Sequence, residues 1–361
     1  MSAPLVVLAA GGTGGHVFPA EALAGSLAAR GFRLALVTDD RGTKYGGSLG
    51  ALDTHRLPIR RMTGGFFRRF VGALSLLPGY FAARSLLERL KPDAVVGFGG
   101  YPSLPTVAAA RRRFHTAIHE QNAVLGRANR LVAAHVDAIA TSFAQTRGAG
   151  DKATLVGNPV RAEVAALRGL PFAMPAAGGA LRILVTGGSQ GASVLGRVVP
   201  AAIGLLTQEQ RARVAIVQQS RQEDAETVRT RYRTLGFAAE IEPFFADLPR
   251  RIADAHLVIA RAGASTVAEL ACIGRPSLLV PLPSATDDHQ TANAQALAAA
   301  GGTWLVPEPE FTPADLAARL SALLADPAPL AALAAGAHAF GRPDAGDRLA
   351  DLVQRLAEGK A

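Results

Sequence analysis

The run Gly11-Gly12-Thr13-Gly14-Gly15-His16 has residue types that could carry chemistry. Without Cβ atoms, such a loop lets a bulky anion reach the backbone N–H groups directly. His16 stands where the loop ends, and an imidazole, whose free pKa lies near neutrality, suits removal of a proton from a hydroxyl. The same residues also suit a tight strand-to-helix turn in which His16 is incidental. Spacing excludes two other uses. Counting G-x-G-x-x-G from Gly12 puts Val17 where a dinucleotide fingerprint needs its third glycine, and no Lys followed by Ser or Thr completes a P-loop.

Other stretches have the same character. Phe98-Gly99-Gly100-Tyr101-Pro102-Ser103 and His119-Glu120-Gln121-Asn122 follow apolar runs, although the glycines could merely turn the chain and Asn122 could cap a helix. Gly187-Gly188-Ser189-Gln190-Gly191-Ala192 repeats the opening loop's pattern in the second half. Arg261 to Glu269 and His289 to Asn293 follow later. Thr266 to Glu269 reads as a capping box in a first helical turn, while Glu269 could instead accept two hydrogen bonds from a ribose diol. Asp39-Asp40 is discounted as a nicotinamide ribose site because the glycine spacing that should accompany it is missing.

The elements that would position these groups alternate. Strand-like runs at Leu5–Ala10, Arg33–Thr38, Ala94–Phe98, Thr116–His119 and Ala138–Thr141 are separated by helix-like segments, the pattern of a doubly wound parallel sheet. After Gly157-Asn158-Pro159-Val160-Arg161 the rhythm breaks, and the Pro-, Gly- and Ala-rich stretch from Arg168 to Ala180 reads as an interdomain linker. It restarts at Leu181–Thr186 and continues through Val214–Gln218, Glu240–Ile241, Leu257–Ala260, Pro276–Val280 and Thr303–Val306. Two similar α/β halves facing a cleft are therefore expected, because ligands bind such sheets at the carboxyl ends of strands.

Composition bounds the partners. The 361 residues suggest about two domains, and 49% apolar content supplies both cores. With 38 Lys+Arg against 29 Asp+Glu, the chain carries +9 and would attract nucleic acid, anionic lipid or phosphorylated small molecules. Paired glycine-rich turns at strand ends serve no purpose in a nucleic-acid binder, so nucleic acid is not expected. The single cysteine, Cys272, lies in an apolar run, which excludes an internal disulfide and predicts a buried side chain in a reducing compartment. No signal peptide is read at the N-terminus. The uncharged stretch Ala94–Ala110 is broken by glycines and prolines and does not read as a membrane span.

Arg60 to Lys91 interleaves Phe66, Phe67, Phe70, Leu74, Leu76, Leu77, Tyr80 and Phe81 with Arg68, Arg69 and further cations, against one acid, Glu88. Large apolar groups beside cations suit docking on anionic lipid; a core-packing amphipathic helix with a basic outer face would look similar. Arg111-Arg112-Arg113-Phe114 could extend that patch or form a solvated face.

Taken together, the loops at Gly11–His16, Phe98–Ser103, Glu120–Asn122, Gly157–Arg161, Gly187–Ala192, Arg261–Glu269 and His289–Asn293 resemble the undecaprenyldiphospho-muramoylpentapeptide β-N-acetylglucosaminyltransferases, the MurG family, which convert lipid I to lipid II. The resemblance spans about residues 5 to 310. It implies a two-domain, GT-B-type, inverting glycosyltransferase without a metal or other cofactor, peripheral to the cytoplasmic face of the bacterial inner membrane. Its donor would be UDP-N-acetylglucosamine and its acceptor the C4 hydroxyl of the muramoyl sugar on undecaprenyl diphosphate. The domains implied are residues 1–160 for acceptor and membrane, 161–343 for the donor, and a C-terminal helix, 344–361, packing back on the first. By position, Thr13, Gly14, Gly15, Asn122, Arg161, Ser189, Gln190, Gly191, Phe245, Ala264, Ser265, Thr266 and Gln290 look like donor contacts and Glu269 the ribose-binding acid. His16, Tyr101, Glu120 and Asn122 fall near the acceptor, with His16 the candidate base. Preceding Gln290, where some relatives have a second glutamine, this chain has His289. The sequence contains no Asp-x-Asp pair, so helix N-termini and Arg161 are expected to stabilise the leaving diphosphate. A transferase acting on a soluble acceptor, a UDP-N-acetylglucosamine 2-epimerase and a nicotinamide-dependent oxidoreductase are the competing enzymes.

Overall fold

The computed structural model describes residues 3–11, 14–39, 47–58, 76–188 and 191–360. The chain divides into two compact units, residues 1–161 with 344–361, and residues 162–343.

The first unit contains the strands β1 (Leu5–Ala9), β2 (Arg33–Asp39), β3 (Asp53–Leu57), β4 (Ala94–Gly97), β5 (His115–Glu120), β6 (Ala138–Thr141) and β7 (Ala153–Leu155). Its helices are α1 (Gly14–Ala29), α2 (Gly47–Gly50), α3 (Leu77–Leu90), α4 (Gly100–Ala110) and α5 (Arg127–Val132). The second unit contains α6 (Ala162–Ala166), α7 (Ser193–Leu205), α8 (Gln208–Ala212), α9 (Ala225–Thr234), α10 (Leu248–Asp254), α11 (Ala264–Ile273), α12 (His289–Ala299), α13 (Pro313–Ala325) and α14 (Ala328–Phe340). Its strands are β8 (Leu181–Thr186), β9 (Val214–Gln219), β10 (Ala239–Glu242), β11 (Leu257–Ala260), β12 (Ser277–Leu279) and β13 (Thr303–Leu305). Then α15 (Ala345–Ala357) belongs again to the first unit.

Both sheets are parallel, in the orders β3-β2-β1-β4-β5-β6-β7 and β10-β9-β8-β11-β12-β13. Central strands such as β1 and β11 are buried along their whole length, which is why they read as continuous apolar runs. The strands β3 and β7 escape that reading because they are edges; in β3 (Asp-Thr-His-Arg-Leu) only Leu57 is buried, and β7 buries none of its residues. In each sheet the strand order reverses direction beside the first strand of its unit. The switch points lie between β1 and β4 and between β8 and β11, where the glycine-rich turns leave the sheets.

The Pro- and Gly-rich stretch expected to link the domains packs instead within the second unit. Buried Arg275 donates to the carbonyls of Leu170 (3.2 Å) and Pro171 (3.4 Å), and Arg168 donates to Cys272 O at 3.1 Å. A cation with this many carbonyls to satisfy anchors a segment that has no secondary structure of its own. Cys272 is buried.

The helix α15 places Leu349, Leu352, Val353 and Leu356 at helical i, i+3, i+4, i+7 spacing, all buried in the core that also contains Leu23 and Leu27 of α1. Around that seam Arg30 pairs with Asp351 at 2.6 Å and Ser26 donates to Asp347 at 2.9 Å. Truncating Leu349, which is fully buried, to Ala should cost about 2–5 kcal/mol. The measurement is a lower urea midpoint of the full chain, with earlier proteolysis of the first unit.

Candidate active site

In the first unit the carboxyl ends of β1, β4, β5 and β6 lie side by side, with Ala9 opposite Gly97, Gly97 opposite Ile118, and Glu120 opposite Thr141. Gly14, Gly15 and His16 form the first turn of α1, so N–H groups without intrahelical partners point out of the sheet end. Gly99 and Gly100 open α4 with φ of 80° and 71°. A Cβ on Gly100 would lie 3.3 Å from His16 Cδ2 and 3.4 Å from Nε2, so the absent side chain is what lets the imidazole rest on this turn. Tyr101 follows, half-buried. Arg161 stands over the Phe18 ring of α1 at 4.7 Å from its centre, a cation–π placement beside the same helix.

Behind His16 runs a polar chain. His16 Nδ1 is 3.0 Å from Gln121 Oε1, Gln121 Nε2 is 3.0 Å from His119 Nδ1, and His119 Nε2 is 3.0 Å from Gly157 O. His119 is fully buried, and burial pushes its pKa down to about 4, against the smaller opposing effect of the Gly157 hydrogen bond.

Glu120, expected on the acceptor side, is bonded within its own unit. It is 2% exposed, and its oxygens accept from Asn122 N (3.0 Å), Asn122 Nδ2 (3.2 Å), Gly126 N (2.8 Å) and Asn129 Nδ2 (2.8 Å). A carboxylate so fully used shapes the loop. Nor does Asn122 cap a helix, since α5 begins at Arg127 after Gly126; its half-buried side chain is held by Glu120.

In the second unit, Gly187 and Gly188 leave β8 and Gly191 precedes α7 with φ of 66°. Beside them, α11 starts after Gly263 with no side-chain cap, so the expected Thr266–Glu269 capping box does not form. Glu269 lies in the second turn, 9% exposed. Ala264, Ser265 and Thr266 supply the helix's first N–H groups, a dipole end suited to an anion. Gln290 Oε1 accepts from Ala262 N (3.2 Å) and Leu282 N (3.0 Å), which leaves the amide nitrogen as the end available to a ligand hydroxyl. Asn293 Nδ2 donates to Ala262 O at 3.1 Å, and Arg261 donates to Val280 O, Pro281 O and Glu308. These bonds tie α12 to the exits of β11 and β12. His289 Nδ1 lies 2.7 Å from Thr286 O.

Phe245 is expected among the donor contacts. It is 6% exposed, under Arg251 at 4.3 Å, whereas its neighbour Phe244 is 75% exposed and is the ring a ligand could meet. Thr13, Ser189, Gln190 and Asp40 lie outside the described residues, as do Phe66, Phe67, Arg68, Arg69, Phe70 and Leu74 of the membrane patch. Of that patch, Leu77 and Phe81 on α3 are 46% and 61% exposed. Arg113 and Arg84 bind Glu88 and hold its carboxyl below the usual range, so part of the basic run is neutralised locally. The sequence marked His119 and Gln121 only as part of a polar strand end, with no individual role, and did not mark Asn129. The signal available was position alone, since His119 and Gln121 flank the carboxyl end of a central strand. Among the described residues no group of three or more His, Cys, Asp or Glu could hold a metal ion.

The sequence matches the glycosyltransferase family 28 N-terminal domain over residues 6–141 and the glycosyltransferase family 28 C-terminal domain over residues 182–349. It is 57% identical over 358 residues to the UDP-N-acetylglucosamine–N-acetylmuramyl-(pentapeptide) pyrophosphoryl-undecaprenol N-acetylglucosamine transferase of Rhodospirillum centenum, covering 98% of this chain and 94% of that protein. Among solved structures, Acinetobacter baumannii MurG superposes with a TM-score of 0.80 at 30% identity, covering 98% of this chain and 99% of that one. A UDP-GlcNAc 2-epimerase from Neisseria meningitidis, bound to UDP-GlcNAc, superposes with a TM-score of 0.63 at 14% identity, covering 97% and 100%. That last likeness is one of fold alone.

A native imidazole whose pKa falls from 6.5 to about 4 stays neutral over a range in which the unfolded ring is protonated. The unfolded state then binds more protons, so stability falls as the pH drops from about 6.5 to about 4 and this contribution levels off below. The expected loss from His119 is about 3 kcal/mol. Urea midpoints measured across that range should fall less steeply for His119→Gln than for the native chain.

Proposed function

Because the chain belongs to the UDP-N-acetylglucosamine–N-acetylmuramyl-(pentapeptide) pyrophosphoryl-undecaprenol N-acetylglucosamine transferase family, within glycosyltransferase family 28, we propose that it transfers N-acetylglucosamine from UDP-N-acetylglucosamine to the C4 hydroxyl of the muramoyl sugar of lipid I. The product, lipid II, feeds peptidoglycan synthesis and through it cell shape and division. The observation that carries this reading is the pairing of a glycine-rich turn and a helix start with the switch point of each parallel sheet.

The second unit takes the donor. Gly191 and the N-terminus of α11, with Ala264, Ser265 and Thr266, face the diphosphate; Glu269 accepts from the ribose, Gln290 donates to a sugar hydroxyl, and Phe244 replaces Phe245 as the aromatic contact. Ser189 and Gln190 join them on sequence grounds. The first unit takes the acceptor, with His16 as general base, Tyr101 and Asn122 nearby, and Glu120 shaping their loop. Thr13, Gly14, Gly15 and Arg161 favour the developing negative charge. The acceptor oxygen attacks the anomeric carbon from the side opposite UDP, inverting its configuration while His16 takes the proton. Backbone N–H groups and Arg161 stabilise the leaving diphosphate without a cation.

Transfer of labelled N-acetylglucosamine to lipid I in the presence of EDTA tests the reading; loss of transfer under EDTA, or equal transfer to water or a soluble acceptor, overturns it. His16→Ala should lower kcat by about 10²- to 10⁴-fold while leaving UDP-sugar binding, measured by calorimetry, unchanged.

The protein acts peripherally at the cytoplasmic face of the bacterial inner membrane, where its lipid-linked acceptor lies. The exposed Leu77 and Phe81 support this, as does the interleaving of phenylalanine and arginine through Phe66, Phe67, Arg68, Arg69, Phe70 and Leu74. No single described helix is long and apolar enough to cross a membrane. Replacing Phe66, Phe67, Phe70 and Phe81 by Ser should release the folded protein from anionic vesicles in a sedimentation assay.

A further inference from the structure

The polar chain behind His16 has a direction that its two carbonyl ends fix. A carbonyl can only accept, so His119 Nε2, 3.0 Å from Gly157 O, carries the hydrogen. Burial keeps the His119 ring neutral, with a pKa of about 4, and a neutral ring has one N–H, so Nδ1 is a lone pair. Gln121 Nε2 donates to that lone pair at 3.0 Å and also to the main-chain oxygen of His119 at 3.1 Å. The second bond fixes which end of the amide is nitrogen, independently of the ring. Gln121 Oε1 therefore faces His16 Nδ1 at 3.0 Å and can only accept. His16 Nδ1 must carry a hydrogen, which in the neutral ring leaves Nε2 as the lone pair.

Resting on the reading of His16 as general base, we propose that Gln121 and His119 are positioning residues that lock His16 in its Nδ1-protonated tautomer, making Nε2 the atom that takes the acceptor's proton. The geometry agrees, because Nε2 lies over the Gly99–Gly100 turn next to Tyr101, away from the polar chain. As the acceptor O–C bond forms, the O–H proton passes to Nε2 and the electron pair of the broken glycosidic C–O bond leaves with UDP. Gln121 is neutral and not basic, so it takes no proton from Nδ1. The imidazolium keeps its Nδ1–H bond to Gln121 Oε1 and returns its extra proton to solvent from Nε2.

The test is the imidazole nitrogen spectrum of the full chain labelled with [15N]histidine, at a pH where free imidazole is neutral. Eight histidines contribute, and His16→Ala identifies the signal concerned. The native protein should show a protonated Nδ1 and an unprotonated Nε2 at His16. The opposite pattern overturns the proposal without recourse to any variant. In Gln121→Leu, His16 should become a mixture of tautomers, with kcat lowered about 10- to 100-fold and the KM for UDP-N-acetylglucosamine unchanged. A Gln121→Leu protein that keeps the native tautomer overturns the proposal whatever its rate. Mixed tautomers with native kcat would uphold the lock and refute His16 as the base.

Discussion

The saturation of one buried carboxylate underlies the first unit's site. Glu120 ends the central strand β5 with both oxygens accepting from the loop and helix that follow, through Asn122 and Gly126 of the loop and Asn129 of α5. A carboxylate buried to 2% exposure is tolerable only with such partners. The bonds fix the path from strand to α5, and Gln121, between Glu120 and Asn122, is then held where its amide spans His119 and His16. Asn129 strengthens the arrangement by bonding both Glu120 and the His119 carbonyl, at 2.8 and 3.2 Å. Rigidity passes from an acid to an amide to an imidazole, and only the last of these is proposed to meet a substrate.

The two units solve a shared problem with different means. Each brings a glycine-rich turn and a helix N-terminus to the switch point of a parallel sheet, where backbone N–H groups collect without side chains in the way. The first unit backs that turn with histidines and an amide. The second backs it with Arg261, Gln290 and Asn293, which tie α12 to the ends of β11 and β12. The first arrangement sets neutral side chains behind an imidazole, and the second ties backbone segments together behind a helix N-terminus.

Much of this was legible in the residues. The central strands announced themselves because both faces are buried, and the glycine loops because few other residues fit there. The edge strands β3 and β7 were not, since β3 buries only Leu57 and β7 buries none of its residues. The burial of Glu120 and Phe245 was not legible for one reason: a sequence shows that a residue stands at a strand or helix end but not which way its side chain turns. At Phe244-Phe245, one ring is exposed and the other is buried under Arg251. His119 and Gln121 were legible as polar residues at a strand end, but not what they do there, because their partners lie far away in the chain, Gly157 for one and His16 for the other. The Pro- and Gly-rich stretch looked like a linker because the guanidinium that anchors it, Arg275, lies about a hundred residues downstream.

The return of α15 to the first unit has a consequence for how the protein is made. Leu349, Leu352, Val353 and Leu356 complete a core whose other walls are β1, β4 and α1, yet they are translated only after the whole second unit. The half that emerges from the ribosome earliest therefore waits with an open apolar face while its inserted neighbour can already collapse, so biosynthesis closes the domains in the reverse of their order along the message.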